Sequence, residues 1–204
     1  MRGNDAARRM RVICRAVFLC CGLVVAGAAF AQSKGDALRG AARAAACTSC
    51  HGAPGRHPLA GTPSLDGQKA LYLELQLVIM REGLRDVPQM AGMLKGLADR
   101  DLGDLAAYFA GQRPPLQNVG RDAKLHARGA ALAKAMICAN CHGEDYQGQK
   151  HLPRIANQRE DYLVSALQAY RDNRRTGIDT SMNGVMYQVA DSDIRALAHY
   201  LAHQ

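Results

Sequence analysis

The sequence predicts an all-α protein made of two tandem domains related by internal duplication. Three observations carry this. A pentapeptide of the form C-x-x-C-H occurs twice, as Cys47-Thr48-Ser49-Cys50-His51 and Cys138-Ala139-Asn140-Cys141-His142, each followed by glycine (Gly52, Gly143). Other residue types recur at nearly the same offset. Cys47 and Cys138 lie 91 apart. Pro63 and Pro153, Gln68 and Gln158, Tyr72 and Tyr162, and Arg81 and Arg171 lie 90 apart. Met90 and Met182, and Tyr108 and Tyr200, lie 92 apart. Agreement of several residue types at one offset marks a repeat far better than any single match. Finally, apolar residues recur at helical spacing, and no stretch alternates convincingly with period two.

The pentapeptide explains why the chain is built this way. Two thiols separated by two residues on a turn of helix reach the two vinyl groups of one porphyrin. The adjacent histidine then supplies an imidazole nitrogen to the iron. Cys47, Cys50, Cys138 and Cys141 are therefore the covalent attachment points of two c-type haems, with His51 and His142 as proximal ligands. A four-cysteine zinc site would use the same thiols but leaves both histidines and the downstream methionines unexplained.

Taken in order, residues 1–31 read as a cleaved signal peptide. Five arginines precede or flank an apolar run from Ala16 to Phe30, which ends in Ala29-Phe30-Ala31, a small-residue cleavage pattern. Of the seven cysteines, Cys14, Cys20 and Cys21 fall here and the other four are the two C-x-x-C pairs, so no thiol of the exported chain is left for a disulfide. The whole chain has a net charge of +8, and the five arginines and one acid of this segment account for half of it. Haem propionates would offset most of the remainder, so the basic balance is no argument for nucleic acid.

Residues 32–112 form the first haem domain, 113–119 a proline-led linker, and 120–204 the second haem domain. Helices are expected over 36–46 and 122–136, which are rich in alanine and lead into the haem motifs. A second pair is expected over 69–81 and 160–172. A third covers 99–110 and 191–202, where Leu102, Leu105, Ala106 and Phe109 match Ile194, Leu197, Ala198 and Leu201 at i, i+3, i+4, i+7. Asp99 and Asp191 are expected as N-caps. About 80 residues per domain is marginal for a core, and a haem would supply the missing apolar bulk.

A methionine lies about forty residues beyond each proximal histidine. Met90 precedes Leu97 of Leu97-Ala98-Asp99 by seven, and Met182 precedes Val189 of Val189-Ala190-Asp191 by seven. Met93 and Met186 do not align in this way. Met90 and Met182 are therefore the expected distal ligands, and Met80, Met93, Met136 and Met186 are read as core filler. His57 and His151 lie too near their proximal histidines to cross the ring easily. His199 and His203 have Ala107 and Gly111 as first-half counterparts and are read as surface residues. Pro63 and Pro153 could offer a carbonyl to the imidazole Nδ1–H. Tyr72, Tyr162, Gln68, Gln158, Arg81 and Arg171 are candidates for propionate contacts, and Arg171, Arg174 and Arg175 for a docking patch.

With C-x-x-C-H-G, the stretch Pro63-Ser64-Leu65-Asp66-Gly67-Gln68, the methionine and a Leu-Ala-Asp-x-Asp-Leu helix ending in Ala106-Ala107-Tyr108-Phe109, the sequence resembles the class I cytochromes c. Its duplication resembles the dihaem cytochrome c-four type, over essentially all of 35–204. One departure is Asn157, which stands where the family's Pro-x-Leu-Ala-Gly-Gln has its glycine. The resemblance implies two lobes related by a pseudo-twofold axis, with haems facing each other across the interface, in the bacterial periplasm. It implies two His/Met haems (His51 with Met90, His142 with Met182) that carry electrons between a donor and a terminal oxidase or similar acceptor. The partners expected are redox proteins: a membrane oxidase, a dehydrogenase or a quinol-oxidising complex, with room for peripheral membrane association. The alternative is the dihaem electron-transfer subunit of a dehydrogenase complex, as in flavin-linked sulfide oxidation. Filled His/Met sites leave no iron for a peroxidase reaction, so an electron-transfer protein rather than an enzyme is expected.

Overall fold

Among the described residues eight helices occur, and six of them are the three pairs that the repeat predicts. The computed structural model describes residues 35–90, 92–116, 120–175 and 179–204. The expected signal peptide and the last three residues of the expected linker lie outside the described residues. The first half contains α1 (Ala37–His51), α2 (Ala70–Arg81) and α3 (Asp99–Ala110). The second contains α4 (Ala123–Ala135), α5 (Ala139–His142), α6 (Glu160–Arg171), α7 (Ser181–Met186) and α8 (Asp191–Ala202). Among the described residues, the only other regular pairing is an isolated bridge between Gln149 and Leu152.

The first helix of each half starts on an aspartate. Oδ1 of Asp36 accepts from the N–H groups of Leu38 and Arg39, and Oδ1 of Asp122 from those of Lys124 and Leu125. Each aspartate satisfies two of the otherwise unpaired donors of a first turn. The expectation for Asp99 and Asp191 is corrected. The caps of α3 and α8 are Ala98 and Ala190, which have no side-chain acceptor, and the two aspartates occupy the first helical position. There they place negative charge at the helix N-terminus, and in α3 the Asp101 carboxylate reaches back to the Ala98 N–H.

In each half the first helix packs on the last, α1 on α3 and α4 on α8, and the middle helix packs on the same partner. The crossings are made at glycines. A Cβ on Gly40 would fall 2.0 Å from the Asp104 carbonyl oxygen, and one on Gly129 would fall 2.1 Å from that of Ala196. Only a residue without a side chain allows backbones this close. Below the crossings lie two apolar clusters. Ala44, Leu73, Leu105, Ala106 and Phe109 form the first, and a larger one around Ala133, Leu163, Met186, Ile194, Leu197 and Leu201 forms the second.

The haem motifs differ in their approach. Cys47 to His51 continue α1 without a break. In the second half the helix is interrupted: Ile137 has φ +50°, and the Cys138 N–H bonds to the Ala133 carbonyl, five residues back. Two extra residues between Gly129 and Cys138 are absorbed by this kink, and α5 then presents Cys141 and His142.

The loop carrying Asn157 keeps the conformation of its glycine counterpart. Gly67 has φ +66° and donates to the Phe109 carbonyl; Asn157 has φ +50° and donates to the Leu201 carbonyl. Asparagine tolerates the left-handed region better than most residues, and here its side-chain amide also bonds to the Pro115 carbonyl at 2.9 Å.

Candidate haem sites

Both proximal histidines are held in the same way. His51 Nδ1 lies 2.9 Å from the Pro63 carbonyl oxygen, and His142 Nδ1 lies 2.9 Å from that of Pro153. A carbonyl only accepts, so Nδ1 carries the proton and Nε2 keeps its lone pair. Burial holds both imidazoles below their ordinary pKa, opposed by the same carbonyl bond, and so favours the neutral form that binds iron. Immediately after each histidine the chain turns through a glycine, Gly52 at φ +83° and Gly143 at φ +84°, whose N–H closes the helix on the carbonyl of Thr48 or Ala139. A Cβ at Gly52 would also meet the Arg56 carbonyl at 2.5 Å, so the first copy is closed to any side chain there.

The four cysteines of the two motifs differ pairwise in exposure. Cys47 and Cys138 are half-buried; Cys50 and Cys141 are exposed. Met90 lies in a turn after Val87 and is half-buried. Met182 lies on α7, and its side chain packs against the larger apolar cluster. Met186 is fully buried core, as expected. Met93 is 46% exposed and is not core filler, because its turn faces solvent.

Arg81 and Arg171 bond to protein groups in the same way in the two halves. Each donates Nη1 to the carbonyl seven residues past the methionine, Leu97 at 2.9 Å and Val189 at 3.2 Å, and each pairs with the aspartate that opens the next helix, Asp99 or Asp191, at 2.6 Å. They tie down the end of each methionine segment. His199 is buried rather than on the surface. It accepts the Asp122 N–H at Nε2 (2.9 Å) and donates Nδ1–H to Glu160 (3.0 Å), linking α4, α6 and α8. His203 donates Nδ1–H to the His199 carbonyl.

Tyr72 and Tyr162, one from each half, converge on Arg175, whose guanidinium donates to their hydroxyls at 2.8 and 3.1 Å and lies 4.7 Å from the Tyr170 ring centroid. Arg175 is 8% exposed, so it is not a docking residue; Arg174 is the exposed member of that run. Burial alone would raise the Tyr162 phenol, but Arg175 and Arg85 bring it down, whereas burial pushes Tyr170 up to about 12. Sequence reasoning missed this cluster. The paired tyrosines were legible, but nothing in the sequence marked which arginine they share.

These features fit a haem in each half. Among the described residues Arg175 has no carboxylate at ion-pair distance; Arg154, buried beside Pro153 with Nε unpartnered, has its pKa lowered to about 10 by burial, opposed by the nearby Asp66 carboxylate. Buried cations normally have counter-charges, and haem propionates are suitable ones. The five-residue apolar cluster of the first half is small for a folded lobe and suits an apolar prosthetic group as the rest of its core.

Helical fold and paired motifs together define a dihaem protein of the cytochrome c class. The cytochrome c family model matches residues 126–204. The chain is 34% identical over 180 residues to cytochrome c4 of Pseudomonas aeruginosa, covering 84% of this chain and 90% of that one. It superposes on the crystal structure of reduced recombinant cytochrome c4 from Pseudomonas stutzeri with a TM-score of 0.76 and 33% identity, over 82% of this chain and 98% of that one. It is also 31% identical over 172 residues to a thiosulfate dehydrogenase electron acceptor of Thiomonas intermedia, covering 79% of each. The chain belongs to the cytochrome c4 family of dihaem class I cytochromes c. It is an electron-transfer protein with two covalently attached c-type haems, and it exchanges electrons with redox partners.

Proposed function

We propose that Cys47 and Cys50 attach one haem, ligated by His51 and Met90, and that Cys138 and Cys141 attach the other, ligated by His142 and Met182. The two domains span 32–112 and 120–204, and the chain works in the periplasm after loss of residues 1–31. When bound, each haem iron supplies a one-electron ferric–ferrous cycle. The protein's part is to hold that iron closed on both sides. The observation that carries this reading is the matching pair of Nδ1–H bonds to Pro63 and Pro153, which present Nε2 from both halves in the same way. A thioether as the second ligand favours ferrous iron and raises the potential, which suits a carrier delivering electrons to a terminal oxidase. Donors of matching chemistry are a dehydrogenase or a quinol-oxidising complex.

A second reading is favoured by the likeness to the electron acceptor of thiosulfate dehydrogenase: this chain takes electrons from an enzyme that oxidises a small sulfur compound. Rapid reduction by such an enzyme with thiosulfate, compared with reduction by a quinol-oxidising complex, separates the two donors. The ligand set is tested by the visible spectrum of the oxidised protein and by carbon monoxide after reduction. A methionine-sulfur-to-iron band at the strength of two haems, with no carbon monoxide binding, is expected. A half-strength band, or binding at one haem, would overturn Met90 or Met182 as ligand.

A further inference from the structure

The halves are joined by two buried glutamines that cross over. Gln158 of the second half accepts the Ser64 N–H at Oε1 (2.8 Å) and donates to the Ser64 carbonyl from Nε2 (3.0 Å). Gln68 of the first half does the same to Arg154, at 2.7 and 2.9 Å. Ser64 and Arg154 are the residues directly after Pro63 and Pro153. The N–H that each glutamine engages therefore belongs to the same peptide group as the carbonyl that accepts the proximal histidine's proton. Two continuous chains result. One runs from His51 Nδ1–H through the Pro63–Ser64 amide to Gln158, and the other from His142 Nδ1–H through the Pro153–Arg154 amide to Gln68.

An amide whose N–H is engaged has a more negative carbonyl oxygen and is a stronger acceptor, the usual cooperativity of hydrogen-bonded chains in a low dielectric. A stronger acceptor at Nδ1 makes the imidazole a more electron-rich ligand, and that favours ferric over ferrous iron. Resting on the ligand reading above, we propose that Gln158 sets the basicity of His51 and Gln68 that of His142, so that each half tunes the potential of the other half's haem. Both glutamines are positioning residues. Each Oε1 also accepts from the first backbone N–H beyond its own residue, Lys69 or Arg159, at 2.9 Å, which fixes its orientation from its own half.

The test uses the holoprotein with Gln158→Met and Gln68→Met, which keep the side-chain length and remove the acceptor. Each haem's oxidation state is followed through its own methyl resonances in an NMR redox titration, and the Nδ1–H shifts of both histidines are recorded in the reduced protein. Gln158→Met is expected to move the His51 haem toward the reduced form by about two- to fivefold at fixed poise, with an upfield shift of the His51 Nδ1–H. The His142 haem should stay in place. Gln68→Met should give the mirror image. If the methionine variants do not fold, Gln158→Asn and Gln68→Asn, one methylene too short to reach across, should give the same crossed pattern. Equal shifts at both haems, shifts in a variant's own half, or no shifts overturn the proposal. Absence of the methionine–iron bands in the unsubstituted protein would instead overturn the ligand reading, so the two failures are distinguishable.

Discussion

Replacing Gly129 by alanine should destabilise the second half even though alanine is the better helix former. The new Cβ would lie 2.1 Å from the Ala196 carbonyl oxygen and 2.5 Å from the Tyr200 Cβ. A carbon needs about 3.3 Å from a carbonyl oxygen, so α4 and α8 must separate by more than about 1 Å. The obstacle is backbone, which cannot swing aside as a side chain would, and the seam behind it includes Ala133 and Ala198, both fully buried. Overpacking of this kind costs about 1–3 kcal/mol, and the upper end applies here. Alanine's helix propensity returns about 1 kcal/mol, leaving a net loss near 2 kcal/mol. For a chain of this size that lowers the melting temperature by about 4–8 °C. Thermal unfolding of the holoprotein by circular dichroism measures it. Because α4 leads into the second haem motif, the methionine–iron band of that half should weaken as well. Gly40→Ala, whose Cβ would meet the Asp104 carbonyl at 2.0 Å, should do the same to the first half. An unchanged or raised melting temperature for either variant would refute the close-crossing argument, since propensity alone would then have decided the outcome.

Arg171→Ala should release the Val189 end of the Met182 segment and let carbon monoxide bind a detectable fraction of the reduced second haem, with Arg81→Ala doing the same for the first; unaltered spectra would show that the methionine segments hold themselves. Arg175→Met should leave the Tyr72 and Tyr162 hydroxyls without their donor, costing about 1–3 kcal/mol in chemical denaturation, and should lower both haem potentials through loss of a buried cation. Asp104, paired with Arg39 and with the Asp36 N–H, has its carboxyl held below the usual range. Its stabilising contribution is therefore complete above about pH 4, where the unfolded group is also ionised, and is lost as pH falls below that through the depressed native value. Asp104→Asn should flatten the acid limb of melting temperature against pH between about 2 and 5.

Much of the fold was legible because haem attachment demands a fixed local pattern. The motifs, the three helix pairs and the proline partners of His51 and His142 could be read directly, since the histidine needs an acceptor near Nδ1 and the repeat offered a proline at matching distance in both halves. The roles of Gln68, Gln158, Arg81 and Arg171 could not. Their recurrence showed that they matter, but a polar side chain at a repeated position has the same sequence signature whether it meets a propionate, a backbone carbonyl or the other half of the molecule. Gly40 and Gly129 carried a signal that was available, a glycine seven or nine residues before the first cysteine of each motif. His199 was misread because its counterpart Ala107 suggested no paired role. Its partner is the Asp122 N–H, at a helix start that lies one turn earlier, relative to the crossing glycine, than in the first half.

The changing offset between the halves is itself explained by the structure. It is 89 at the crossing glycines and at Ala44 and Ala133, becomes 91 at the cysteines, returns to 90 at the prolines and glutamines, and reaches 92 at the methionines. The first change is the Met136–Ile137 kink. The second is one more residue between His51 and Pro63 than between His142 and Pro153. The third falls between Arg171 and Met182. The first two changes lie in connections, and the contacts on either side of all three are conserved in kind: glycine on carbonyl, histidine on proline, glutamine on the opposite half, arginine on the far end of the methionine segment. A duplicated carrier can therefore vary the path between these contacts without moving the groups that would surround an iron, because each group is anchored to a neighbouring element and not to the length of chain that precedes it.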